Sequence, residues 1–213
     1  MTVALSRRAV VAGVAAFGAG GAQARGTDVT GEYREGDLGL ETAWDQGEGR
    51  VRCRYRLVNG GGARLVVFDR LYHTASSGKR RIDEDQCWRW LEEGGLYRMA
   101  KTVPSVPGDM RVEMPEVPYA RLLLPGAVLE GQAVAPVPLD QLLPYEQAPA
   151  HTAREITRIV LTLGFAVADG AMEAREIEEG ILSLRYGWAE PRQKVVSCVP
   201  VGADLPMSGA PED

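Results

Sequence analysis

"RVRCRYRLVNGGG", residues 50–62, decides the fold. Val51, Cys53, Tyr55 and Leu57 alternate with Arg52, Arg54 and Arg56, a period of two that puts each set on its own face of a β-strand. An apolar face opposite a cationic one predicts a half-buried antiparallel strand with its arginines in water. Their expected neighbours are acids on adjacent strands, each cross-strand pair worth roughly 0.2–1 kcal/mol. Residues 59–62 then supply Asn and three glycines, which tolerate positive φ. A hairpin turn is therefore predicted, with "ARLVVFDRLY" (63–72) returning as the partner strand.

The same reading extends outward. "DLGLETAW" (37–44) sets Leu38, Leu40, Thr42 and Trp44 on one face. In "REITRIVLTLGFAVADG" (154–170) both faces are apolar or small, as in a strand central to a sandwich. "ILSLRYGW" (181–188) and "QKVVSCVPV" (193–201) read as closing strands, and "DGAMEAREIEEG" (169–180) as a short helix or a long acidic loop. Nine prolines between residues 101 and 150 exclude long helices and central strands there, and Pro125-Gly126 reads as a tight turn. Roughly eight short strands with little helix predict an all-β, immunoglobulin-like antiparallel sandwich. Its expected span is 37–202, after a flexible lead-in at 25–36 and before a tail at 203–213. In outline the "LVN" turn and "VFDR" return resemble small exported β-sandwich modules, some bacterial proteinase inhibitors among them. No function is carried across on that outline.

Residues 1–24 read as a secretory signal peptide: two arginines, an uncharged apolar stretch at 9–22, and Ala22-Gln23-Ala24 for cleavage. Ser6-Arg7-Arg8, followed by Ala9-Val10-Val11, resembles a twin-arginine export signal, although the residues after the pair depart from that pattern. A general secretory signal carrying two arginines is the alternative. Either predicts a periplasmic or secreted protein with no membrane span in the mature chain. Cleavage after Ala24 removes two arginines and no acid, so a formal charge of −5 becomes −7. An acidic exported chain is a poor nucleic-acid partner, because phosphate neutralisation supplies most of that affinity.

The chemistries that short motifs reveal are absent. Cys53, Cys87 and Cys198 are an odd number in a chain bound for an oxidising space. Cys53 and Cys198, both inward on predicted strands, are the expected disulfide; three buried thiols are the alternative. Acids beside Cys87 in "DEDQCWRW" (83–90) raise a thiol pKa, and the only histidines, His73 and His151, lie in loop-like sequence. Two histidines make no zinc cluster, Met110 and Met114 no copper site, and Asp83, Glu84 and Asp85 match no calcium-loop spacing. No G-x-S-x-G elbow occurs, and "NGGG" precedes a strand and lacks the Lys-Ser/Thr ending of a phosphate loop. No catalytic residue, metal or cofactor is assigned. The remaining cluster is "CWRWLEEGGLYRM" (87–99), whose Trp88, Trp90 and Tyr97 are interface-anchoring types. These three form the candidate binding surface for a protein, glycan or envelope component. An exported enzyme with an unrecognised site, or an inhibitor- or chaperone-like module, are the other classes.

Overall fold

The computed structural model describes residues 29–35, 37–74, 77, 79–145 and 155–206. The signal peptide, His151 and residues 207–213 lie outside them. The strands are β1 (Val29–Glu35), β2 (Leu38–Gly47), β3 (Arg50–Asn59), β4 (Leu65–Thr74), β5 (Arg80–Asp83), β6 (Trp88–Glu92), β7 (Leu96–Lys101), β8 (Tyr119–Leu123), β9 (Val128–Pro136), β10 (Glu155–Val167), β11 (Ala174–Glu178), β12 (Ile181–Leu184), β13 (Lys194–Ser197) and β14 (Val201–Pro206). One helix, α1 (Tyr186–Arg192), accompanies them.

The fold is all-β, and the alternation at residues 50–57 is realised as expected. Val51, Cys53, Tyr55 and Leu57 are buried, while Arg54 pairs with Asp45 at 3.3 Å and Arg56 with Glu41 at 3.2 Å and Glu130 at 3.9 Å. The stripe is the wet side of a strand. The predicted hairpin is not formed, however. β3 lies between β2 and β9 in a four-stranded sheet, with Cys53 opposite Trp44 on one side and Ala133 on the other. Residues 60–64 carry the chain across the core into a second sheet.

Asn59 makes that corner. Its amide donates to the carbonyls of Ala63 (2.8 Å) and Leu123 (3.2 Å), and its carbonyl oxygen Oδ1 accepts from Gly61 N–H at 3.1 Å. The Pro125-Gly126 turn, with Gly126 at φ +73° and Ala127 N–H bonded to Leu124 O at 3.0 Å, crosses between sheets beside it. The Asn59 backbone also binds the turn of this second crossing, donating to Ala127 O and accepting from Gly126 N–H. Period-two alternation on both sides of a turn fits a hairpin and a sheet-to-sheet corner equally well.

The second sheet runs β11-β12-β8-β4-β10-β7-β6, with β5 on β4 and with β13 and β14 on β10. β10 fills both its edges in sequence, β14 then β13 along one and β7 then β4 along the other. Its contact with β7 is parallel. Fourteen strands among the described residues and a parallel pair depart from the antiparallel, eight-stranded immunoglobulin-like arrangement expected. Between the sheets lies the main core, including Leu40, Leu57, Leu129, Met99, Leu161 and Leu163. Each such side chain contributes roughly 1.5–3 kcal/mol on burial. On the other face of the second sheet, Val66, Phe68 and Ala166 pack with Val103 and with Trp188 and Ala189 of α1. β10 is apolar on both faces because both faces are covered.

Three boundaries are corrected. β1, in the stretch read as a lead-in, pairs with β2 along its whole length. An edge strand needs pairing on one side only, so its polar composition hid it. β14 continues to Pro206, past the limit drawn at 202. The acidic segment supplies β11 and the turn at Gly180 (φ +72°) of the β11–β12 hairpin, and the helix covers Tyr186–Arg192, whose first three residues end the 181–188 stretch read as a strand.

Candidate functional site

β6 alternates as its sequence demands: Arg89 and Leu91 point inward, and Trp88 and Trp90 share the half-exposed face. At about 3.4 Å per residue their ring attachments stand roughly 7 Å apart. Both indoles edge a cleft of 290 Å³ lined also by Thr102, Val103, Pro104, Ser105, Leu143, Pro144 and Tyr145. Tyr97 does not belong to this surface. It is fully buried, facing the main core from β7, and its hydroxyl donates to Asp140 O at 2.6 Å. Alternation places residues 97 and 99 inward, whatever their residue type.

Neither wall is regular structure, and each is fixed from a distance in sequence. Gln193, just after α1, accepts from Val103 N–H at 2.7 Å and donates to Val103 O at 3.0 Å. Tyr186 donates to Pro104 O at 3.0 Å and accepts from Val106 N–H at 2.9 Å, and Ser105 Oγ donates to Glu190 at 2.7 Å. Gly164 makes room for this clamp, since a Cβ there would collide with the Gln193 carboxamide. Opposite, Arg89 holds Asp140 with two bonds, Nε to Oδ1 at 2.8 Å and Nη2 to Oδ2 at 3.0 Å. Its backbone exchanges two hydrogen bonds of 2.8 Å with Leu142. Together these hold residues 140–142 on the edge of β6. Trp88 Nε1 donates to Thr102 O at 3.0 Å and Trp90 Nε1 to Glu92 at 3.2 Å, with the Arg98 guanidinium 5.9 Å from the Trp90 ring.

Among the described residues, no Asp, Glu, Lys, Arg, His or Cys lines the cleft. Its ionisable group is the Tyr145 phenol, which accepts from Glu116 N–H at 3.1 Å and whose pKa burial raises, so it stays protonated.

Sequence reasoning missed a polar cluster between the sheets. Asp69, fully buried, accepts from Tyr55 Oη at 3.0 Å, from Arg70 at 3.1 Å and from Arg121 Nε at 3.0 Å. A bulge in β4 between Val67 and Arg70 accompanies it. Lys101, also fully buried, donates to the carbonyls of Asp69 (3.3 Å) and Glu84 and lies 5.7 Å from the Tyr55 ring centre. Burial lowers its pKa to about 8, opposed by the charge of Asp69. Gly131 is required here, because the Tyr55 ring and hydroxyl occupy the space of a Cβ. The signal was in the sequence: Asp69 and Lys101 fall on inward positions, two after Val67 and Met99.

The three cysteines are free and buried, so the expected Cys53–Cys198 disulfide is not formed. Both belong to the main core, where Cys198 Sγ accepts from Leu161 N–H at 3.2 Å. Burial raises all three thiol pKa values, that of Cys87 to about 11. His73 stands 3.3 Å from Asp83 on the β4–β5 hairpin, away from any cysteine. Asp83, Glu84 and Asp85 diverge toward His73, Arg70 and Gln132, and no group of three metal-ligating side chains gathers among the described residues. No helix among them is long and apolar enough to cross a membrane. Compared with protein-family models, curated proteins and solved structures, the chain finds no match in any of the three.

Proposed function

We propose that this chain is an exported, non-enzymatic binding protein whose ligand, a protein, glycan or envelope component, seats in the cleft over Trp88 and Trp90. The observation that carries the reading is the lining itself: three aromatic rings and two prolines around 290 Å³, with no side chain among its described residues placed to move a proton at neutral pH. Aromatic side chains give large contact area at small entropic cost, which suits them to recognition. Periplasmic or secreted residence rests on Arg7-Arg8, the apolar stretch after them and Ala22-Gln23-Ala24.

The test is a panel titration followed by the tryptophan indole N–H signals. Trp44 and Trp188 are core residues and serve as internal controls. A true ligand shifts Trp88 and Trp90 and leaves the other two in place. A ligand that binds without moving either cleft indole overturns the assignment of the site. Mass spectrometry of the protein recovered after export should find a chain starting at Arg25, and a retained leader overturns the proposed localisation.

A further inference from the structure

Apart from the cleft, β5 and β11 each have one edge that no other described strand covers. β5 pairs only with β4, and β11, last in its sheet, only with β12. None of their residues lines the cleft. The two edges carry opposite charge. β5 opens on Arg80 and Arg81, with Lys79 just before it, and all three are exposed. Every residue of β11 is exposed, and its Glu176 and Glu178 lead into an exposed Glu179 at the turn. The basic end is not neutralised at home. Arg80 lies over the Tyr72 ring, 4.5 Å from its centre, and the acids that follow in sequence are turned elsewhere, Asp83 to His73, Glu84 to Arg70 and Asp85 to Gln132.

An edge strand presents unpaired N–H and C=O groups, and charges along it keep strands of the same sign away. Between edges of opposite sign that protection fails. Set antiparallel, β11 puts Arg175 opposite Asp83, Glu178 opposite Arg81 and Glu179 opposite Arg80, with no like-charge pair among them. The geometry of β11 supports this register. A bulge between Glu176 and Glu178 inserts one residue against β12, which brings Arg175 and Glu178 to one face of the strand. Alternation places Asp83 and Arg81 on one face of β5 in the same way. Within a single chain β12 and β8 stand between β11 and β4, so the free edge of β11 points away from β5. We infer that a second copy of this chain is the partner, β11 of one copy adding to the free edge of β5 of the next through the pairs Arg175–Asp83, Glu178–Arg81 and Glu179–Arg80. The contact joins two different patches, so it builds head-to-tail chains rather than a two-fold dimer. Strands this short make a small contact, at the weak and transient end of interfaces.

The experiment follows the backbone amide signals and the sedimentation of the purified chain as its own concentration rises to about 1 mM. Signals of residues 79–83 and 174–179 should shift together, half-way at about 0.1–1 mM, while the mean mass climbs past that of one copy. Arg81→Glu and Glu178→Arg each turn one attractive pair repulsive and should weaken association about two- to thirtyfold. Both positions are exposed, and neither side chain bonds another described residue, so the unfolding midpoints should stay near that of the wild type. The double variant restores the pair with its charges exchanged and should recover the association of the wild type. A chain that remains a single copy at about 1 mM overturns the inference. Association that both single variants retain overturns it as well, as does a double variant no better than either. Concentration-dependent shifts at the Trp88 and Trp90 indoles, with residues 79–83 and 174–179 unmoved, would seat the second copy in the cleft and overturn the pairing of these edges.

Discussion

Removing the Lys101 ammonium should change how stability responds to alkali, in a direction the burial fixes. In the folded protein the amine titrates near 8, against 10.5 for an ordinary lysine, chiefly because burial disfavours the charged form. Asp69 pulls the other way, while Arg70 and Arg121 add to the lowering. Between those two pH values the unfolded chain holds a proton that the folded chain has released. Stability therefore rises with pH across the window, recovering about 3 kcal/mol that burial of the ammonium costs below pH 8. The three raised thiols act oppositely, their contribution being lost as the unfolded thiols ionise above about pH 8.5. Lys101→Met leaves the thiols in place, so a difference between the two proteins isolates the amine. Urea unfolding of both at pH 7, 8, 9, 10 and 10.5, under reductant, gives that difference. Wild type should gain on the variant by about 3 kcal/mol from the low to the high end. A flat difference, or one falling with pH, would show that the buried amine has an ordinary pKa and refute the reasoning.

Three further outcomes are expected. Gly164→Ala drives a methyl into the Gln193 carboxamide and should cost about 1–3 kcal/mol by chemical denaturation; it should also loosen Val103, giving faster amide exchange there, which Gln193→Ala reproduces without the clash. Arg89→Ala removes the two bonds to Asp140, should destabilise by about 1–3 kcal/mol, and should release residues 140–145 to limited proteolysis ahead of the rest of the chain. Native protein treated with a thiol alkylating reagent should take up no label, and unfolded protein, without reductant, three; two labels fewer would mean that one pair of the three has oxidised, which peptide mapping identifies.

The parts legible in the sequence are those that depend on strand parity. Val51, Cys53, Tyr55 and Leu57 were assigned inward from alternation alone, and all four are buried. Trp88 and Trp90, two apart on β6, share a face by the same parity, and they line one cleft. On β7, Tyr97 and Met99 take the parity opposite to Leu96 and Arg98, and both are buried. What parity does not carry is which strands are neighbours. Residues 59–62 and Pro125-Gly126 look like hairpin turns and act as corners, because the choice rests on Asn59 reaching Leu123, 64 residues away. The cleft walls escaped for a related reason. Proline-rich sequence has no period, and its placement depends on Gln193 and on the Arg89–Asp140 pair, whose partners are distant in the chain.

Those same distant contacts explain how a cleft made mostly of loops can be preformed. A loop wall held only by its own turns would pay its ordering entropy at each binding event, roughly 1–2 kcal/mol per residue fixed. Here Val103 is gripped on both backbone groups, and residues 140–142 are bound to β6 by the Arg89 side chain and backbone. That entropy is spent at folding, out of the stability of the two cores behind it. The chain therefore accepts two costs in its interior, a buried Lys101 and a glycine within β10, each bordering Thr102 where the cleft begins. Gly164→Ala and Lys101→Met probe the same junction from opposite sides of the sheet. The first should lower affinity at the cleft as well as stability, because the Gln193 clamp sits on the wall; the second should shift the pH response of stability and leave affinity near that of the wild type, because Lys101 faces the main core and bonds no atom of the lining.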